Sequence, residues 1–548
     1  MDSSSDTTEK KAVDGHVHHA VNAREVDVAA QLDSDAPLDP AVALRVKLTG
    51  TSCHLCAKLI SRNIPSNLIQ TTPPTVYRMT FADKTTLGQS AVLGIIPGAH
   101  LNQNQFNWLG TIFYLSYLAF QYPQNLALQK LPVGKWMSVN IFIWAVALMA
   151  HAACKSFGAL FAVRFILGIC EGAITPGFMI VTSMFYTRAE QNKRVGYWFL
   201  MNGFAIIFLG FVSFGVLHTK VHTFMPWQWL MIITGIITLI TSVLFWYSYV
   251  RKGSCLDTDV NDLHRFFFPD SPNTAYFLSA EEKTQAVQRI KINQAGVENK
   301  VWKRDQFIEA FTDPKVWVMA AFAAIGNIVN SLTNQRQLII NQFGFTPIQT
   351  TLLGCVDGVV EILTIWLGVT LAARKFIGRG YAGVLMFIPA LLGSILVSTL
   401  PSHKKVGLLF SYWVSIFVIT PFVILLGWIS SIIAGHTKRT TVNAIIFSAY
   451  AIGNAAGPFM WKKKYQPRNH VPWAVISACT FTCAILLLIL RFMLHRENQK
   501  RDAEKRDDSY DDVYVIQELP DGSKVEKRVD KAFLDLTDIQ NREFRYVL

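Results

Sequence analysis

Charge is scarce in this sequence. Aspartate, glutamate, lysine and arginine make up only 16 % of its 548 residues, against about 25 % in soluble domains. That excludes a solvated globule. Cysteine is rare too, at 8 residues, and Cys154, Cys170, Cys355, Cys479 and Cys483 fall in or at the ends of apolar runs. Cysteine serves there as a small apolar side chain, so no disulfide framework is expected. The lone "CHLC" at 53–56 lacks the second pair a tetrahedral metal site needs. Also missing are G-x-S-x-G, H-E-x-x-H and a phosphate-binding P-loop. Hydrolase, metalloprotease and ATP-driven pump are thereby disfavoured; no enzyme activity, cofactor or metal is expected.

What is abundant is apolar sequence: 51 % of residues, with a mean hydropathy of +0.29. Apolar runs of about 20 residues, enough to cross ~30 Å of hydrocarbon, occupy 105–128, 136–154, 158–184, 195–217, 227–250, 316–340, 347–372, 380–400, 405–434, 440–461 and 471–494. A weaker run at 79–101 would make twelve. The predicted organisation is a tail (1–78), six spans (79–250), a polar loop (251–315), six spans (316–494) and a charged, mobile tail (495–548). Within the loop, Ser279 and Glu282 form a capping-box pattern that predicts a helix at about 280–294. The opening "MDSSSDTTEKKAVDGH" lacks the apolar core of a signal peptide, so the first span would direct insertion.

The net charge of +13 resides mostly in short loops between spans, as in polytopic proteins, which argues against a nucleic-acid partner. Basic residues after the last span and in the middle loop favour both termini inside. Partners are then the lipid bilayer and a small solute, with a monomer expected.

Against this background a few buried charges stand out. "RFILGICEGAITPGF" (164–178) places Arg164, Gly168, Glu171 and Thr175 on one helical face. On insertion scales each charge costs ~2.5–3.5 kcal/mol at the centre of a spanning helix. Such groups face the bundle interior, and Gly168 would admit a neighbouring helix. Either Arg164 and Glu171 lock helices together, or they form a site for an anion and a proton. "VDGVVEIL" adds Asp357 and Glu361 one turn apart, where like charges repel. Arg336 in "LTNQRQLII" supplies a further buried cation, and Asp83 and Lys84 head the weak first span.

"ADKTTLG", "FYLSYLAFQYPQN", "RFILGICEGAITPGF", "TSMFYTRAEQ", "FFFPDSPNTAYFLSAEEK" and "GHTKRTTVNAIIFSAYAIGNAAGP" together resemble the fungal allantoate permease family. That family belongs to the anion:cation symporter branch of the major facilitator superfamily. The resemblance runs from about Phe81 to the C-terminus. It implies an all-α membrane protein with twelve helices in two halves, cycling by alternating access. It also implies proton-coupled import of a small organic anion, such as allantoate or another ureide, at the plasma membrane. By resemblance Asp83 and Glu171 are the protonatable pair, Lys84 and Arg164 hold the substrate carboxylate, and Tyr117 and Asn454 hydrogen-bond it. From the sequence pattern alone, Arg336 joins the substrate set, and Asp357 and Glu361 the proton-coupling set. A nutrient sensor on the same scaffold, or a carrier of nicotinate or pantothenate, is the alternative.

Two features depart from the family. Gln129 stands where a gating aspartate is usual, and residues 45–80, with Pro73, Pro74 and Arg78, interrupt the expected apolar run. An unspliced intron or a displaced exon boundary would produce such a segment.

Overall fold

The computed structural model describes residues 10–13, 16–21, 85–186, 188–218, 224–250, 302–374, 376–504, 513–518, 524–528 and 534–548. Asp83, Lys84, the 45–80 segment, "CHLC" and the 280–294 helix lie outside them. The first half begins with short helices α1 (85–92) and α2 (Ile95–Gly98). It continues with α3 (Gln103–Lys130), α4 (Val133–Ala150), α5 (Phe157–Glu171), α6 (Ile174–Phe185), α7 (Arg188–Leu217) and α8 (Pro226–Val250). A short helix α9 (Arg304–Thr312) leads into the second half. That half comprises α10 (Pro314–Val329), α11 (Leu332–Gln342), α12 (Pro347–Ala372), α13 (Gly378–Thr399), α14 (Lys405–Ser415), α15 (Thr420–Ile432), α16 (His436–Ala456) and α17 (His470–Ala503).

Helix ends follow local chemistry. Asn102 and Thr346 make capping boxes with Gln105 and Gln349, and Asp313 caps Lys315 ahead of Pro314. Among the described residues nine helical segments are long and apolar enough to cross a bilayer. α3 and α16 are long but too polar to qualify. The reason is their position. They pack on each other at the seam between the halves, where Asn107 reaches Trp461 O, Thr111 reaches Ala455 O, and Tyr114 and Tyr117 meet Tyr450. A hydropathy reading underrates helices that hide their polar faces in protein.

The other seam joins α7 to α12. A methyl group on Gly203 would strike the Gly358 carbonyl, and one on Gly358 would strike Gly203, so the two backbones touch. On α12 Asp357, Glu361, Thr364 and Gly368 are among the buried positions, while Val359, Leu363 and Trp366 are exposed where lipid would lie. Overpacking costs typically about 1–3 kcal/mol. Gly203→Leu is therefore expected to lower the melting temperature in detergent by several degrees. A thermal ramp read by size-exclusion fluorescence checks it.

Three predicted spans are interrupted. The fourth breaks at 172–173, so Thr175 belongs to α6 and not to the helix of Arg164 and Glu171. The seventh breaks at Asn330–Ser331, and the tenth passes through a 3-10 turn, Ile416–Ile419, before Pro421.

The tail differs from its expectation. α17 runs on to Ala503, and residues 534–548 lie against the second half instead of standing free. Trp428 donates to Val547 O at 2.6 Å, and the Arg379 amide donates to Leu548 O at 2.8 Å. Asp538, fully buried, accepts from Lys315 and Lys438. Lys438, expected in a loop, opens a helix and is wholly buried. Four short strands form one sheet among the described residues: β1 (Lys10–Val13) and β2 (His16–Val21) pair antiparallel, β2 is parallel to β3 (Val513–Glu518), and β4 (Lys524–Arg528) closes the sheet antiparallel.

Candidate functional site

Among the described residues two chambers lie between the helices, with Arg164 lining one and Arg336 the other. The first, partly open, has about 230 Å³ of space between its atoms and is lined by Leu87, Gly110, Phe113, Tyr114, Arg164 and Asn334. It therefore draws on α1, α3 and α5 of the first half and α11 of the second. Arg164 and Glu171 are 3 % and 1 % exposed. Seven residues of helix separate them, about 10 Å of rise. Gly168 lies between them, and a methyl group there would overlap Ser116 and the Phe113 carbonyl. The expected close approach of a neighbouring helix is met by α3.

Across the seam, the ring of Tyr450 of α16 lies 6.0 Å from that of Tyr114 of α3. Tyr117, 2 % exposed, has its ring 5.9 Å from that of Tyr450, and Phe422 stacks on the same tyrosine at 5.6 Å. Asn454 accepts from Asn330 at 2.8 Å and donates to Tyr450 O at 2.9 Å. In this conformation its amide ties α16 to the break between α10 and α11.

The second chamber, also partly open, has about 490 Å³ of space between its atoms. Asn330, Thr333 and Arg336 line it from the broken seventh span, and Ile416 and Ile419 from the 3-10 turn of the tenth. Interrupted helices expose backbone polar groups, which is where transporters commonly build their sites. Arg336 donates through Nη2 to Glu361 Oε2 at 3.1 Å. Asp357 accepts from the Tyr412 hydroxyl at 3.1 Å and from Trp413 Nε1 at 2.9 Å. The spacing places Asp357 and Glu361 one turn apart, where two like charges repel. The structure gives each carboxylate its own donors from a different helix.

Several participants escaped the sequence reading. Tyr412 and Trp413, in "FSYWVS", carry no charge to mark them. Tyr450 lies inside a quoted motif, beside the asparagine that drew attention. His151, buried at the end of α4, is close enough to feel the Arg164 charge; a lone histidine ending an apolar run was its signal. Among the described residues no cluster of histidine, cysteine or carboxylate side chains could hold a metal.

Comparison with known proteins places this geometry. The chain is 32 % identical over 480 residues to the thiamine pathway transporter THI73 of Saccharomyces cerevisiae, covering 86 % of this chain and 83 % of the relative. It is 30 % identical over 488 residues to the allantoate permease of the same yeast, with coverage of 86 % and 83 %. The yeast high affinity cysteine transporter is 27 % identical over 481 residues, covering 85 % of this chain and 87 % of the relative. Among solved structures, the proton:xylose symporter XylE bound to 6-bromo-6-deoxy-D-glucose superposes with a TM-score of 0.58. At 13 % identity, covering 76 % of this chain and 94 % of that one, it shows the fold alone. The Major Facilitator Superfamily model matches residues 79–458. With its two helical halves, its two seams and charges buried between them, the chain is a multi-pass membrane transporter of the major facilitator superfamily.

Proposed function

We propose that the protein is a proton-coupled symporter that imports a small carboxylate-bearing solute across the plasma membrane. The observation that carries this reading is Arg164: a nearly inaccessible guanidinium lining a chamber to which both halves contribute. A cation held in a low-dielectric, water-excluded site favours an anion, and a chamber shared by both halves can open to either side in turn. Two relatives act on carboxylate-bearing solutes by name, allantoate and cysteine, which supports that class. Allantoate or a related ureide is the first choice; nicotinate and pantothenate are the next.

Anion uptake against an inside-negative potential costs ~2.3 kcal/mol per charge per 100 mV, so at least one cation accompanies the substrate. Glu171, buried beside the seam, is the proton carrier of the first half. Asp83 and Lys84 join it in the proposal on sequence grounds. Uptake of radiolabelled allantoate, nicotinate, pantothenate and L-cysteine in a permease-deficient yeast tests the scheme. For at least one of them, uptake should rise as external pH falls from about 7 to 5 and collapse with a protonophore. Glu171→Gln should remove the acid stimulation. Uptake that follows external sodium and ignores protonophore would overturn proton coupling, and binding without accumulation would make the protein a sensor.

A further inference from the structure

The pairing in the second chamber is half made. Arg336 is 6 % exposed and gives Nη2 to Glu361, while its Nη1, also buried, has no hydrogen-bond partner among the described residues. A guanidinium is a rigid fork suited to gripping one carboxylate with two parallel bonds. Here one tine is engaged and the other is spare, on a residue that lines a 490 Å³ space. Asn327, Asn330 and Thr333 line the same space with amide and hydroxyl groups.

Glu361 lies three residues beyond Gly358, whose backbone touches that of Gly203 on α7 of the opposite half. Its place on α12 is thus within one turn of the seam that must part during alternating access. The groups set around it are Arg336 from α11 and, one turn away on its own helix, Asp357 with its donor Tyr412 from α14. Asp357 already has two donors of its own, Tyr412 and Trp413.

Resting on the transport reading above, we infer that Arg336 is a second anion anchor, for which Glu361 and the substrate carboxylate compete. A carboxylate entering the chamber takes the spare Nη1 and then the whole fork. Glu361, displaced, cannot stay ionised beside a second anion in a dry site, and it takes one proton from the water on the open side. The Glu361 O–H bond formed on loading breaks when the substrate leaves and the carboxylate returns to Arg336. The chamber's net charge is the same before and after loading: an anion enters and a proton cancels the Glu361 charge. Asp357, held by its own donors, stays outside the exchange.

The full-length protein in proteoliposomes provides the test, with the four labelled solutes named above as probes. Glu361→Gln should lower pH-driven accumulation at least tenfold yet keep substrate exchange within about threefold of the unaltered protein. Its apparent affinity should also lose its dependence on pH between 5 and 7. Arg336→Gln should lose both exchange and accumulation. The swap Arg336→Glu with Glu361→Arg restores a salt bridge but offers no anion site, so it should reach the membrane and accumulate nothing. If Glu361→Gln accumulates substrate with an unchanged pH profile, or the swap restores uptake, the pair is a structural tie and the inference fails while the transport reading stands. If the unaltered protein accumulates none of the four, the transport reading itself fails.

Discussion

Replacing Arg164 with lysine is expected to raise KM roughly 10- to 150-fold while the amount of protein at the membrane stays the same. The substitution keeps the charge and loses the fork. An arginine holds a carboxylate through two parallel charge-assisted bonds, and an ammonium on a flexible stem offers a point charge. One such bond is worth about 1.5–3 kcal/mol, and each 1.4 kcal/mol is a factor of about ten in affinity. Arg164 is 3 % exposed and lines the first chamber, so water has little access to restore the lost bond. Initial uptake rates across a substrate range, normalised to surface-labelled protein, measure the effect. The opposite result, an unchanged KM with less protein at the surface, would make Arg164 a structural partner and remove it from the anion site.

Much of the fold was legible because a bilayer imposes one simple requirement on sequence. Spans such as 347–372 and 380–400 are apolar over the required length, and α12 (Pro347–Ala372) and α13 (Gly378–Thr399) reproduce them nearly to the residue. The breaks were not legible. Nothing in apolar content distinguishes Asn330–Ser331 or Ile416–Ile419 from continuous helix, because such breaks depend on neighbours that satisfy the freed backbone groups. The site was legible in its charges and illegible in its partners. Arg164, Glu171, Arg336, Asp357 and Glu361 announce themselves as costly residues in apolar runs. Which residue pairs with which is decided by helix packing: Glu361 meets Arg336, 25 positions away, and Asp357 meets Tyr412, 55 positions away. The docked tail was missed for the same reason. A charged segment reads as solvated until the lysines that bury its aspartate are brought to it.

Loss of that aspartate should be the costliest change outside the membrane. Asp538 is fully buried, with Oδ2 2.5 Å from Lys315 Nζ and Oδ1 2.9 Å from Lys438 Nζ. Tyr546 donates to it at 2.8 Å, and Asp313 and Glu309 complete the cluster around the two ammonium groups. Breaking a buried ion pair by deleting one partner costs about 3–5 kcal/mol, because the charge left behind has no water to return to. Here two lysines would be left sharing the remaining carboxylates. Asp538→Asn is therefore expected to cut the yield of folded protein severalfold and to lower its melting temperature in detergent, as is removal of residues 534–548. Burial pushes the Asp538 carboxyl up, but Lys315 and Lys438 outweigh it and hold the group well below the usual carboxylate range. A depressed native pKa stabilises above the unfolded value of about 3.9, and that contribution is lost only as pH falls below it. The external acidification that the proposed proton coupling would use, to about pH 5, leaves the tail docked. The surviving Asp538→Asn protein should consequently show the same KM and the same acid stimulation as the unaltered chain. A changed pH profile in that variant would mean that the tail takes part in transport and does not simply hold the second half together.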